Sequence, residues 1–275
     1  PVGNRYSPFS RDVLIDRGVS GDFLPLAQVS DTLTGNVGAT FNGNIGRWQW
    51  SVIGSFERSE SKTFTDVGID AAPFQARLNA NDPTARPFEP LVPGDVALLP
   101  INRAYSTSNN GSIDALFNGS LFELPAGAVS TSVSIGGDFI DFSSRSVRDN
   151  VEITGNVTRN IANGQVNIDV PLTSRSRDVL GVLGNLSGNF NIAYDYLSDF
   201  DTLRTLGYGL NWSPIDEIRV IASVTEQDVA PSPQQLGNPV ILRPNVFVFD
   251  YVRGENSLVS VVSGGNPALA SESRQ

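Results

Sequence analysis

Between Thr32 and Phe56 the chain alternates apolar or small residues with polar ones. Leu33, Gly35, Val37, Ala39 and Phe41 fall on one side, and Thr32, Thr34, Asn36, Gly38, Thr40 and Asn42 on the other. After Gly43-Asn44-Ile45-Gly46, a tight connection, the pattern resumes. Trp48, Trp50, Val52, Gly54 and Phe56 now face away from Arg47, Gln49, Ser51, Ser55 and Glu57, with Ile53 the one exception. Successive side chains of a strand leave from opposite faces, so a period of two predicts β-structure. Neither apolar face carries a charge, and aromatic residues gather near strand ends. That combination predicts the wall of an antiparallel transmembrane β-barrel, apolar toward lipid and polar toward the lumen.

The pattern recurs along the chain. Residues 59–106 are polar and proline-rich (Ala72-Pro73, Asp82-Pro83, Arg86-Pro87, Glu89-Pro90, Val92-Pro93), a density that strands and helix interiors reject, and they predict a long loop. A strand follows over Asn109–Phe122, turned by Leu124-Pro125-Ala126-Gly127, and a return strand carries Val129, Val133, Ile135 and Phe139. Residues 143–164 predict a second long loop, with a strand extension through Val151 and Ile153. Strands are then expected from Gln165, from Leu186, from Leu206 and from Ile218, the last after the Pro214-Ile215-Asp216 turn. A third long loop is expected over 228–265. Tight and long connections alternate, as the periplasmic turns and extracellular loops of outer-membrane barrels do. Soluble sandwiches also alternate. Their exposed faces carry Lys and Glu, however, whereas these polar faces carry Ser, Thr, Asn and Gly.

Composition narrows the picture. The 275 residues are 40% hydrophobic, with no run long enough for a membrane helix; barrel strands need only about 9–11 residues each. Charged residues make up 17%, below the roughly 25% of ordinary domains, and Lys62 is the sole lysine. The formal net charge of −10 argues against a nucleic-acid partner. The chain has no Cys, His or Met, which removes cysteine nucleophiles, histidine triads and zinc or haem ligation from these residues. No cofactor, resident metal or catalytic residue is expected, and the protein is not expected to be an enzyme.

Several segments resemble TonB-dependent outer-membrane receptors. Gly207-Tyr208-Gly209-Leu210-Asn211-Trp212-Ser213-Pro214 followed by Ile218-Arg219-Val220-Ile221-Ala222-Ser223 is similar to a strand pair of that family. It runs into Val229-Ala230-Pro231-Ser232-Pro233-Gln234-Gln235-Leu236, with Val229 where arginine is common. Gly264-Gly265-Asn266-Pro267-Ala268-Leu269 with Glu272 resembles a signature leading into the next strand. Tyr194-Asp195-Tyr196-Leu197-Ser198-Asp199-Phe200 resembles a strand end, with Ala193 replacing an arginine. The resemblance implies a partial barrel, about eight to eleven strands of a plugged barrel of about 22. All of residues 1–275 would belong to the barrel domain, with the plug and the C-terminal strands elsewhere. It further implies import of a scarce nutrient such as a ferric siderophore across the outer membrane of a Gram-negative bacterium. The partners would be a small nutrient ligand, membrane lipid and, through the plug, the TonB complex. The alternatives are a secreted or surface-exposed adhesin and a passive porin.

Four residues of the third loop, Arg243, Asp250, Tyr251 and Arg253, could grip a substrate through cationic and aromatic contacts, with Val246-Phe247-Val248-Phe249 as a short strand; the competing reading is a loop packed on itself. Asp195, Asp199 and Asp201 could hold Ca²⁺ with nearby carbonyls or form a solvated rim. Asp216-Glu217 suits turn chemistry. Trp48, Trp50 and Trp212 suit a membrane interface.

Overall fold

The structure, a computed structural model, describes residues 1–15, 25–92 and 94–275, so Pro93 of the first expected loop lies outside the described residues. Two long strands, β1 (Gln28–Ile45) and β2 (Trp48–Thr65), open the fold, joined at Gly46-Arg47. Gly46 adopts φ 62°, the left-handed region that a two-residue hairpin turn requires. A connection holding β3 (Ile69–Asp70), α1 (Ala72–Asn79) and β4 (Ala97–Leu98) leads to β5 (Asn102–Leu124). Then follow β6 (Gly127–Arg148), β7 (Val151–Thr173), β8 (Asn185–Leu197), β9 (Asp201–Ile215) and β10 (Ile218–Val229). The last elements are α2 (Pro233–Gly237), the hairpin of β11 (Ile241–Asp250) and β12 (Glu255–Ser263), and β13 (Glu272–Arg274). Nine strands form one open sheet in the order β1-β2-β5-β6-β7-β8-β9-β10-β13, every neighbour antiparallel. The fold is all-β. Among the described residues no helix is long and apolar enough to cross a membrane, which has no bearing on strands.

The register aligns the apolar faces that periodicity picks out. Gly43, Trp50, Phe117, Val133, Val166, Ile192 and Leu206 lie side by side across seven strands. Phe41, Val52, Ala115, Ile135 and Gly164 form the next row. Trp50 lies over Gly43, and Trp48 over Gly119: an added Cβ would meet their rings at 2.9 and 2.6 Å. These glycines therefore provide flat seats for cross-strand aromatics. The face is uncovered, with Leu33 74% and Val37 67% exposed, and Ile113 and Ile135 also exposed.

Three loop expectations change. β2 and β5 extend beyond the expected limits, so the loop of 59–106 shrinks to 66–101. Most of 143–164 is strand rather than loop, for β6 and β7 meet at Asp149-Asn150, both with positive φ. The third loop carries α2 and the β11–β12 hairpin, which contains the expected Val246–Phe249 strand. The first two corrections share one cause. At this end of the sheet polar and charged residues occur on both strand faces, so the alternation that reveals a strand loses its contrast.

The hydrophobic cluster of buried residues lies not on the sheet but in the 66–101 connection, where Phe74, Ala85 and Val96 pack with Ile69, Leu78 and Leu91. Arg77 ties this body together, 2.8 Å from Asp95 and 3.1 Å from Asp82. The Thr84 hydroxyl and amide, with Arg77, hold the Asp82 carboxyl down to about 2. The N-terminal segment rests on the same body: Asn4 Nδ2 donates to the Leu78 carbonyl (2.7 Å) and Arg5 N to Asn81 Oδ1 (3.0 Å). The accessible surface is 17754 Å², against about 11,500 Å² for a compact monomer of 29.4 kDa. The uncovered apolar face of the sheet, with Leu33, Val37, Ile113 and Ile135 exposed, contributes to that excess.

Candidate functional site

The polar face of the sheet and the connections at its long-loop end make up the candidate site. On that face Asn, Gln, Ser and Thr bond across strands. Ser55 and Ser112 hydroxyls meet at 2.8 Å, Asn163 donates to Asp138 at 3.1 Å, and Ser187 donates to Asp169 at 3.1 Å. Two hollows open on it. One, about 420 Å³, spans β6 to β10 and is lined by Asn163, Gln165, Asn191, Asp195 and Thr205. The other, about 550 Å³, reaches from Gln49 to Asn189. Both hollows open on the polar face, each across several strands. Amides and hydroxyls both donate and accept hydrogen bonds, so such a surface suits hydrated, uncharged groups rather than one fixed ion.

The segment after β10 folds back over this face. Ser232 caps α2 in a reciprocal box: its hydroxyl accepts from Gln235 N (3.2 Å), and Gln235 Oε1 accepts from Ser232 N (2.8 Å). Leu236 is buried, and the Gly237 carbonyl accepts from the buried Ser144 hydroxyl at 2.6 Å. A Cβ on Gly237 would stand 3.0 Å from Val157 and 3.3 Å from Phe142, and one on Gly155 would stand 3.1 Å from the Gly237 carbonyl oxygen. The two glycines allow the helix to seat directly on β6 and β7. Asn266 N then donates to Gln235 O (2.7 Å), and Gly265 N to Asn238 O (3.0 Å). The Pro233–Leu236 and Gly264–Leu269 motifs therefore close on each other, pinning the root of the β11–β12 hairpin.

The four substrate candidates separate on that hairpin. Arg243 lies near its root, opposite Val261. Asp250, Tyr251 and Arg253 share the tip, about 24 Å along β11 from Arg243. Asp250 is occupied in shaping the turn: Oδ1 accepts from Val252 N (2.9 Å) and Arg253 N (3.2 Å), and Arg253 Nε stands 3.8 Å from its carboxylate. Tyr251 is 91% exposed and packs edge-on against Phe249 at 5.1 Å. The tip thus offers one free aromatic ring and one loosely held cation.

Asp195, Asp199 and Asp201 do not converge. Asp195 lines the first hollow, Asp201 starts β9 at φ 57°, and Asp199 accepts two bonds from Arg159 (Nε 2.8 Å, Nη2 2.8 Å). Among the described residues no group of carboxylates is placed to hold a metal ion. Arg159, buried and 5.2 Å from the Phe200 ring centre, has no counterpart among the sequence candidates, because it falls in a segment read as loop. At the tight-turn end, Asp216 accepts from Arg175 Nη1 at 3.2 Å, and Trp212 Nε1 donates to the Leu183 carbonyl at 2.8 Å. The chain matches no known family model and no curated protein.

Proposed function

We propose that this chain is a stretch of the wall of a transmembrane β-barrel, belonging to a TonB-dependent outer-membrane receptor that imports a scarce nutrient. One observation carries the reading: an exposed apolar belt that carries no charge from β1 to β8 and ends at a polar boundary, which on β9 and β10 lies lower, at Arg204 and Glu226. On β1, β2, β5 and β6 the row Val37, Phe56, Gly111 and Phe139 is the last apolar one, and it meets Asn160 on β7. The next row, two residues on, is Gly35, Arg58, Asn109, Asp141 and Thr158. There Arg58 donates to Asn109 (2.9 Å), and Asn109 and Thr158 donate to Asp141 (3.4 and 3.3 Å). Along β8 the belt runs from Leu186 to Tyr196, about 34 Å of strand. At a tilt of about 45° that is about 24 Å of height, the size of the apolar band on outer-membrane barrels, about 25 Å. Water would leave such a continuous patch with a large hydrophobic penalty, while hydrocarbon imposes none.

In this reading the polar hollows line the lumen, and the 66–101 and 230–271 connections face outward and meet the nutrient. The plug, and through it the TonB complex, belongs to the rest of the protein. These residues supply wall, lumen and binding loops, with no catalytic step. The resemblance of the Pro233–Leu236 and Gly264–Leu269 segments supports the receptor class over a porin, as does the way they clasp each other over the lumen face.

The test uses the full-length protein in its own membrane. It is expected to need detergent for extraction, to migrate differently before and after boiling, and to show Trp48, Trp50 and Trp212 fluorescence quenched by brominated lipids. Deleting the gene is expected to slow growth when the nutrient, iron first, is limiting. Release without detergent would replace this reading with the adhesin; constitutive ion conduction without a growth defect would replace it with the porin.

A further inference from the structure

Resting on the wall reading, we propose that the β7–β8 connection is a foot that dips its apolar end into the phospholipid leaflet on the tight-turn side, beneath the belt. The other connections at that end are short: Gly46-Arg47, Pro125-Ala126 and Asp216-Glu217 each take two residues. The β7–β8 connection takes residues 174–184 and divides into two parts of opposite chemistry. Arg175-Ser176-Arg177-Asp178 is polar. Val179-Leu180-Gly181-Val182-Leu183 is apolar and ends in a turn of 3-10 helix.

The polar part is fastened on both flanks. Arg175 reaches Asp216 at 3.2 Å and the Pro214 carbonyl, and Arg177 reaches Glu123, at the end of β5, at 3.4 Å. Arg175 N donates to Asn185 Oδ1 (2.9 Å), and Ser174 and Val179 exchange backbone bonds at 2.9 and 3.0 Å. The apolar part has no such cover. Val182 is fully exposed, Leu180 is 65% exposed, and Leu183 is half exposed. Leu180 also holds φ 49°, a left-handed conformation that costs a bulky side chain energy. A tethered backbone that turns two leucines and a valine outward is unfavourable in water and favourable once hydrocarbon receives them.

The position of this run selects lipid as its occupant. Trp212 is on the belt face, opposite Leu186, and its Nε1 donates to the Leu183 carbonyl at 2.8 Å. The run therefore reaches the lipid side of the sheet, not the lumen side. Leu172 is exposed on that same face, so apolar surface leads from the belt to the run. Gly184 permits the approach: it holds φ 81°, and a Cβ there would collide with the Ser213 carbonyl oxygen and stand 2.7 Å from Pro214 Cα. Amphipathic elements settle about 5–10 Å into the boundary between headgroups and acyl chains, which is where the belt ends in the wall reading. Arg175 and Arg177 are both paired, so the attraction is apolar and needs no anionic lipid.

The experiment places a cysteine at Val182 of the full-length protein, labels it with the fluorophore NBD, and reconstitutes the protein in phosphatidylcholine vesicles. Residues 1–275 have no other cysteine. The label is expected to lose most of its emission to brominated phospholipid, more to bromine near the headgroup than near the chain end, and to be shielded from aqueous iodide. Should Val182→Cys fail to fold, Leu180→Cys supplies a second site with the same expectation. A label at Glu217, in the neighbouring two-residue turn, is expected to be quenched by iodide and not by brominated lipid. Iodide quenching at Val182 equal to that at Glu217 would overturn the proposal, marking a run covered by water. Shielding from both quenchers would overturn it as well, marking a cover of protein. Equal bromine quenching at Glu217 and Val182 would also sink it, since every turn would then touch lipid. A label at Ile135, on the belt, separates the two readings. If brominated lipid leaves Ile135 unquenched, the wall reading has failed and this proposal with it; if Ile135 is quenched and Val182 is not, only this proposal has.

Discussion

Ile135→Arg separates lipid from water more sharply than any other single change. Ile135 is 57% exposed at the middle of the β6 belt, between Ala115 and Gly164 on its neighbours. If water covers this face, replacing a half-exposed side chain shifts stability by no more than about 0.5 kcal/mol. If hydrocarbon covers it, the guanidinium must reach a polar boundary. The nearest, at Asp141, is six residues up the strand, about 20 Å along β6 and about 14 Å in height. That is beyond one arginine side chain, so the charge stays in the bilayer and costs about 2–4 kcal/mol, a factor of about 30 to nearly 1,000 in the folding equilibrium. Ile53→Arg is the matched control: the same substitution on the polar face of β2, at a side chain 43% exposed. Denaturant unfolding of the full-length protein in lipid vesicles, read by migration before and after boiling, supplies the difference. Equal stability for the two variants would refute lipid contact at Ile135, and the importer with it.

Arg159→Ala removes the bidentate partner of Asp199, so amide exchange at Asn160 and Ser198 is expected to rise while β2 and β5 are unchanged; given Asp199's partial exposure the local cost is about 1–3 kcal/mol. Gly237→Val forces a branched side chain against Val157 and Phe142, and is expected to lift α2, exposing a cysteine placed at Ser144 to a thiol reagent. The Asp82 carboxyl is depressed to about 2, so its contribution to the 66–101 body is complete above the ordinary carboxylate pKa near 4 and is lost as pH falls through about 2. Pepsin cleavage within 66–101 is expected to accelerate between pH 4 and pH 2, and Asp82→Asn is expected to remove most of that acceleration while raising cleavage at pH 4.

The belt was legible residue by residue because lipid or water on one side and a polar hollow on the other impose contrast at every second position. From Leu33 to Phe41 and from Leu186 to Tyr196 the faces read from the sequence are those the register aligns. Contrast fails beyond Phe56 and Phe139. There Arg58, Glu60, Lys62 and Arg145 stand on the face that is apolar lower down, and the apolar residues left, such as Val151 and Ile153, form no sustained alternation, so long strands read as loops. The candidate site was legible only in part. Asp250, Tyr251 and Arg253 are close in sequence and close at the hairpin tip, whereas Arg243 is near them in sequence but is carried to the root by the extended β11. Arg159 gave no signal, since its partner lies 40 residues away.

By itself the sequence determined the all-β class, the eight main strands and which side of each is apolar, because side-chain alternation is a local property of the extended backbone. Tertiary structure alone decided where the strands end, the closing of the Pro233–Leu236 motif on the Gly264–Leu269 motif, and the pairing of Arg159 with Asp199. Those depend on hydrogen-bond register and on contacts between distant residues, which no local period encodes.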